Sequence, residues 1–499
     1  MSLIVRWQIR RIPRLALLRS LVFLAVFAST VIRHYPIDNL IANSTTIVDE
    51  LLSKRTITLS ETANAYRRRR HRHPPPDFNA WHALASAQDA VLVQSRKGKR
   101  KRLDQWIYMM QKIQHLLPDL NIPLNMLDKP RVTVPWEDVS SYVTTESELR
   151  KLGPAHETVQ RFSSLDYENE TLGCDKPTLS GNGIYWDQIR IGCAPGTPSR
   201  NVSSLSDFSK LSTSSKDPCL QPAVPSSHGS LIAPLSQSMN DSLIPMFSSS
   251  KLSMNNDILL PAFSYWQSRS DYTVGASHGP DWNKKTTKVL WRGVSSSGHN
   301  TPENWKRFHC HRFVTFMNAS AFPSFPEPHR LYCHENIQGD GCPHTESHSD
   351  IYKEAPMAKQ FQAKYLPDVD GNGFSGRYLA FLRSTSVPIK ATLFSEWHDS
   401  RLLPWHHFVP MQNSFSDLYS ILEYFIGVLG GEDDGTVVMR DGHDEQARKI
   451  AIQGKEWAEK VLRREDMLVC LLRLLLEYRR LCEEERDAMR WVDNLVDKI

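Results

Sequence analysis

The chain contains no internal repeat, which excludes a solenoid or propeller built from stacked units. Beyond its first 32 residues it has no apolar run fit to cross a bilayer. The best candidate, LVCLLRLLLEYRRL, is short and is interrupted by Arg473. Its eight cysteines form no CxxC pair, so the ligand spacing of a zinc finger or ribbon is missing. His309, Cys310, His311, Cys333, His334, Cys342, His344 and His348 offer enough donors for a zinc site. Cysteines of a secretory protein, however, pair with one another more often than they bind metal, and no metal site is expected. No recognised nucleic-acid-binding module accompanies the basic runs. A calcium loop is incomplete as well. In YLPDVDGNGFSGRYLAFLRSTSVPIK, Tyr365 to Lys390, the residues Asp368, Asp370, Asn372 and Gly373 take positions one, three, five and six of an EF-hand loop. Position twelve is Leu379, where calcium requires a bidentate carboxylate.

What that stretch does contain is a Gly-rich turn running into an apolar, helix-like segment. Ser375 reads as the N-cap, with Tyr378, Leu379, Phe381 and Leu382 following at helical spacing. A helix start presents free backbone N–H groups and a positive dipole end, which suits a diphosphate. Arg377 would add a bidentate donor at the same place. A glycine turn whose arginine points into water accounts for these residues equally well.

The 499 residues leave room for two or more domains, and 40% hydrophobic with 23% charged content is ordinary for a globular chain. The net charge of +5 conceals an asymmetry: residues 1–102 carry +13 and the remainder −8. Arg6, Arg10, Arg11, Arg14 and Arg19 accompany LVFLAVFASTVI, and Leu15 to Ile32 is about long enough to span a bilayer. The positive flank predicts an uncleaved anchor with a luminal body. A cleaved signal peptide, with Val26 and Ala28 at the small-residue positions, is the alternative. Five sequons, at Asn43, Asn169, Asn201, Asn240 and Asn318, fit a luminal body. A few disulfides are expected there, with connectivity unreadable. Cys470 and Cys482 would lie about 18 Å apart on a continuous helix, too far to pair.

Residues 33–65 read as a stem of mixed polarity, followed by the basic segment YRRRRHRHPPPDFNAWHAL. A second basic run, Arg96 to Arg102, precedes an amphipathic stretch from Trp106 to Leu117. Behind an anchor, both runs read as solvated faces or contacts to acidic glycans or lipid headgroups. Between Pro198 and Ser253 the composition shifts to Ser, Pro and Asn, an irregular excursion or a crossing between domains. Beyond it, KVLWRG, FVTFM, SVPIKATLF and HHFVPM alternate with helical patterns, which predicts α/β structure, and residues 445–499 are strongly helical.

Several of these segments occur together, and in this order, in a known family. From about Tyr66 to about Leu481 the chain resembles glycosyltransferase family 90, the capsule-associated proteins of fungi and the protein O-glucosyltransferases of animals. YRRRRHRHPPPDFNAW resembles the entry motif of the fungal branch, and LNMLDKPRV the Asn-x-x-Asp-x-Pro element. KVLWRGVSSSG is similar to the strand-turn with its Arg-Gly. The turn at Gly371–Arg377 is similar to the Gly-Ser-Arg loop, and SEWHDSRLLPWHHFVPMQNSFSDLY to the late block. The chain departs from the pattern at QSRKGKRKR, where relatives are acidic and aromatic, and at Phe408, where a tyrosine is usual.

The resemblance implies an α/β, GT-B-like architecture of two Rossmann-like domains facing across a cleft, behind a single N-terminal membrane anchor. The implied divisions are a cytosolic tail 1–14, an anchor 15–32, a stem 33–65, and an acceptor-side domain 66–275 with its Ser-rich excursion 198–253. A nucleotide-sugar-binding domain 276–465 and a C-terminal helical segment 466–499 packing back would follow. Asp128 is the implied catalytic base. Arg292, Gly293, Ser295, Gly373, Ser375 and Arg377 would hold the diphosphate, while Glu396, His407 and Asp417 match the late block with less defined roles. The implied reaction is inverting transfer of xylose or glucose from a UDP-sugar to a hydroxyl of a glycan or glycoprotein, without a required metal, in the Golgi or ER membrane. Asp368 and Asp370 also spell the Asp-x-Asp of metal-dependent transferases of another fold. The rival readings are a non-catalytic luminal binding protein of the same fold and a basic nucleic-acid-binding protein.

Overall fold

The computed structural model describes residues 36–87, 102–164, 184–200, 216–237, 239–266, 279–294, 297–318, 330–332, 357–431 and 437–496. The expected anchor, the basic run 96–101, two sequons (Asn169 and Asn201) and the cysteines at 174, 333 and 342 lie outside these residues. Among the described residues no helix is long and apolar enough to cross a membrane.

The N-terminal part is helical: α1 (Pro36–Ser53), α2 (Leu59–Arg70), α3 (Phe78–Ser86), α4 (Arg102–Ile113), α5 (Trp136–Leu149) and α6 (Tyr185–Ile189). α2 opens with a reciprocal capping box between Thr58 and Glu61, as the TLSE sequence dictates. It closes with Arg67 to Arg70 in its last turn, where the helix dipole favours cations. The stretch read as a stem is, over its described part, helical and packed. Ile41 of α1 joins the main hydrophobic core, and Asp38 accepts a hydrogen bond from the Tyr424 hydroxyl.

Next come α7 (Gly229–Ile232), a two-residue parallel pair of β1 (Phe247–Ser248) and β2 (Ile258–Leu259), and α8 (Phe263–Trp266). An isolated parallel bridge joins Leu124 to Phe247 of β1, and another joins Val132 to Asn240. A full Rossmann-like sheet is absent among the described residues of the first half. The side chains explain why. Asp257 accepts the backbone N–H groups of Arg131 and Val132, Asn256 accepts that of Val134, and Asn240 that of Ser242. These contacts supply the partners that strand ladders would otherwise provide.

The second half folds as the alternating pattern predicts, except that FVTFM, expected as one of its short apolar strand runs, is helical. β3 (Thr286–Val289), β4 (Arg292–Val294), α9 (His309–Asn318), β5 (Arg330–Tyr332), β6 (Ala363–Val369), α10 (Tyr378–Arg383), β7 (Val387–Ala391) and β8 (Val409–Pro410) follow in order. A four-stranded all-parallel sheet runs β3–β6–β7–β8, and β4 pairs separately with β5. All seven residues of β6 are buried, as befits the centre of a parallel sheet. FVTFM lies within helix α9. Then come α11 (Leu418–Ile426), the antiparallel pair β9 (Gly427–Gly431) and β10 (Val437–Asp441), α12 (Asp444–Val461), α13 (Arg464–Leu481) and α14 (Asp493–Val496). α11 and α12 cover the sheet through Ile421, Leu422, Phe425, Ile450 and Ala451.

α13 packs on the N-terminal helices. Trp81 donates to the Val469 carbonyl at 3.1 Å, the Tyr66 hydroxyl to Glu477 at 2.6 Å, and Arg480 to the His73 carbonyl at 2.9 Å. The arginine-rich segment is thus tied to the end of the chain through Tyr66 and His73, while Arg68, Arg69 and Arg70 face solvent. Cys470 and Cys482 sit on and just after this continuous helix, unpaired.

Cys193 and Cys219 form a disulfide spanning 26 residues. The cross-link restricts the unfolded chain, and a loop of this length corresponds to about 3.5 kcal/mol. Replacing both cysteines by serine is expected to lower unfolding free energy by about that amount, measured by urea denaturation. An unchanged midpoint would contradict this expectation.

Candidate functional site

Three segments converge beyond the C-terminal ends of the parallel strands, where open α/β sheets place their ligands. The first is the turn after β6. Asp368 is fully buried and receives the Ser375 hydroxyl at 2.5 Å and the Lys390 ammonium at 3.0 Å. The Arg377 Nε lies 3.5 Å from the same carboxylate. Arg377 also donates to the Arg292 carbonyl and lies over the rings of Trp291 and Phe381. Gly293 has no side chain to clear, and a Cβ there would strike the Trp291 indole. Arg292, Gly293, Ser375 and Arg377 are therefore brought together, whereas Ser295 lies outside the described residues.

The expected N-cap is corrected. α10 begins at Tyr378 with Arg377 at the cap position, and Ser375 turns its hydroxyl to Asp368 instead. A buried carboxylate is a stronger acceptor demand than an exposed backbone N–H is a donor demand, so the serine satisfies the former. The apolar spacing holds, since Tyr378, Leu379, Phe381 and Leu382 are all buried.

The second segment carries Asp128. Asn125 organises it: its carbonyl oxygen accepts the Leu127 N–H at 3.0 Å, and its amide donates to the Lys129 carbonyl and to Ser248. Two residues on, the Asp257 carboxylate receives the N–H groups of Arg131 and Val132. Asp128 is left half-buried at the apex. Gly373 abuts it so closely that a Cβ at 373 would collide with the Asp128 carbonyl oxygen. Asp128 and the Gly-Ser-Arg turn, 245 residues apart by number, are in contact. Lys129 is buried, with its ammonium 3.0 Å from the Ser230 carbonyl and over the Phe394 ring. Burial pushes its pKa down to about 7, against the pull of Asp370 and Asp128.

The third segment is the late block. A cavity of about 310 Å³ opens beyond β7 and β8, with Tyr378, Lys390, Phe408, Met411, Asn413 and the Lys216–Asp399 ion pair among its lining. Lys390 links this cavity to Asp368. Burial disfavours its ammonium, yet Asp368, Glu396 and Asp370 outweigh that and hold its pKa above the ordinary lysine value. Glu396 is buried beside it, accepting the Tyr265 hydroxyl at 2.7 Å and lying 3.4 Å from His398. His407 and Asp417 point elsewhere. His407 stacks on Trp457, its Nδ1 accepts the Leu403 N–H, and burial pushes its pKa down to about 3. Asp417 accepts the Gln412 N–H with both oxygens. These two fix the loop that carries Phe408, Met411 and Asn413 to the cavity rather than facing it themselves.

Asp370 has its oxygens taken by Thr392 at 2.5 Å and the Leu393 N–H at 2.7 Å. With Asp368 similarly engaged, a cation on this Asp-x-Asp would have to displace protein partners. The described part of the histidine–cysteine set also turns inward: His309 and Cys310 both donate to the Asp370 carbonyl. Among the described residues no cluster of His, Cys, Asp or Glu is arranged to hold a metal.

Sequence reasoning did not single out Lys129, Ser230 or Lys390. A lysine inside the apolar strand SVPIKATLF was a usable signal, because such a charge needs a buried counter-charge. Ser230 carried none, being one serine in a serine-rich stretch.

The family model of Glycosyl transferase family 90 matches residues 231–494. Protein O-glucosyltransferase 2 of Danio rerio is 24% identical over 269 residues, covering 51% of this chain and 47% of that protein. Protein O-glucosyltransferase 1 of Homo sapiens is 21% identical over 276 residues, covering 51% of this chain and 62% of that protein. The chain thus spans about half the length of the curated relatives it matches.

Proposed function

This chain belongs to glycosyl transferase family 90, and we propose that it moves a sugar, xylose or glucose, from a UDP-sugar to a hydroxyl of a glycan or glycoprotein. The observation that carries this reading is the contact between the Asp128 segment and the Gly373–Arg377 turn. It brings the backbone of the residue proposed as the base onto the turn that carries Arg377, so that base and diphosphate partner lie on adjoining segments. In the reaction, Asp128 takes the proton of the acceptor hydroxyl as its oxygen attacks the anomeric carbon. The bond from that carbon to the diphosphate breaks on the opposite face, UDP departs, and configuration inverts. Arg377 and Arg292 meet the charge that develops on the leaving group, already oriented and partly shielded from water. The cavity beyond Lys390 takes the nucleoside end.

The proposed architecture is GT-B, with residues 66–275 and 276–465 as its halves and 466–499 packed back on the first. The proposed setting is the lumen of the Golgi or ER behind an anchor at 15–32. The Cys193–Cys219 disulfide supports an oxidising compartment.

The test is a panel of UDP-sugars incubated with the purified protein, with and without EDTA. UDP release is expected from UDP-glucose or UDP-xylose and is expected to survive EDTA, because Asp368 and Asp370 already have protein partners. Activity lost in EDTA and restored by manganese would assign these carboxylates to a metal instead. UDP binding without turnover of any donor would favour the non-catalytic binding protein.

A further inference from the structure

We propose that Lys129 is a positioning residue for the transfer reaction, its buried side chain clamping the Asp128 turn to the turn at Gly371–Gly373. This inference rests on the reading of Asp128 as the base. Its grounds are geometric. The Lys129 ammonium donates to the Ser230 carbonyl at 3.0 Å, and the Ser230 hydroxyl donates onward to the carbonyls of Gly371 at 3.1 Å and Asn372 at 3.2 Å. One chain of hydrogen bonds therefore runs from the residue after Asp128, through α7, to the residues just before Gly373. The close approach of Gly373 to the Asp128 carbonyl completes the loop from the other side.

The charges around the ammonium are of both signs. Asp370, just beyond β6, and Asp128 attract it, while Arg131 on its own segment opposes them. His228 and His309, stacked 3.6 Å apart, stand beside Asp370, and burial keeps both well below the ordinary histidine pKa. They therefore add no competing positive charge. Burying an ammonium is costly, and an apolar side chain of the same length would be simpler to accommodate. A lysine here is explained by what it holds: the Ser230 carbonyl, which leads to the glycine turn. Neither Lys129 nor Ser230 is among the residues proposed to hold the donor, so loss of the clamp should disturb the placement of the base without weakening donor binding.

The experiment is a cycle of Lys129→Met, Asp128→Asn and the double variant, read by transfer kinetics, UDP affinity and thermal midpoint. Lys129→Met keeps the apolar stem and removes the ammonium. Its kcat should fall about 10- to 100-fold with donor KM changed less than about twofold. In the Asp128→Asn background the same substitution should cost less than about twofold, because a residue acting through Asp128 has nothing left to position. A kcat within about twofold of wild type in folded Lys129→Met overturns the proposal. So does a full additional loss in the Asp128→Asn background. If Lys129→Met does not fold, Ser230→Ala replaces it, since it cuts the same chain one link further on; the same kcat loss with unchanged donor KM is expected, and an unchanged kcat overturns the clamp. Wild-type transfer by Asp128→Asn alone would remove the base and this inference together, whereas the other negative results leave the base standing.

Discussion

Asp128→Asn is expected to lower sugar transfer by roughly 10²–10⁴-fold, the range for a lost general base, while leaving UDP affinity and thermal midpoint nearly unchanged. The substitution preserves side-chain shape but removes the capacity to accept a proton at neutral pH. The structure explains why the fold should tolerate it. What the neighbouring turn touches is the Asp128 backbone carbonyl, and Asn125 and Asp257 hold the segment on either side of it. Calorimetry with UDP and a transfer assay on one preparation separate the two quantities. Transfer at the wild-type rate would place the base elsewhere.

Arg377→Ala should behave differently. Its guanidinium is expected to pair with the diphosphate in both the bound donor and the transition state, so binding and turnover should fall together. Charge-assisted hydrogen bonds contribute about 1.5–3 kcal/mol each. UDP affinity is therefore expected to drop about 10- to 100-fold and kcat/KM roughly 10³-fold. Arg377 is engaged with the Arg292 carbonyl and near Asp368 before any donor arrives, and it lies on aromatic rings. Arg377→Lys is the control, since it keeps the charge and loses the planar fork; an intermediate loss should result. Normal UDP binding by Arg377→Ala would remove this arginine from the donor site.

The parallel sheet was legible because short apolar runs such as SVPIKATLF and HHFVPM recur between helical patterns, and they became β7 and β8. The Gly371–Arg377 turn was legible as a turn, but its start was misread. N-cap preference is a local rule, and the partner that captured Ser375 is Asp368, a buried carboxylate whose demand becomes visible only when the chain is folded. His407 and Asp417 illustrate the converse. Both stand in a motif block that forms part of the cavity wall, yet stacking on Trp457 and accepting the Gln412 N–H are their local contacts. Motif membership marks the block, and orientation within it depends on packing from α12, 50 residues away along the chain. The first half was least legible, since Asn and Asp side chains there replace strand ladders and leave no period to read.

The contact of Gly373 with Asp128 bears on how this enzyme family could be recombined. A chimaera that joins the first half of one relative to the second half of another would import one side of an interlocked surface without the other. Any side chain larger than hydrogen at 373, or a shifted Asn125 turn, would wedge the two pieces apart at a place where backbone atoms meet. Workable exchanges would have to move residues 125–132, 228–230 and 370–374 as a single cassette. Divergence among relatives in these three short segments should accordingly be correlated, even where the intervening chain has drifted freely.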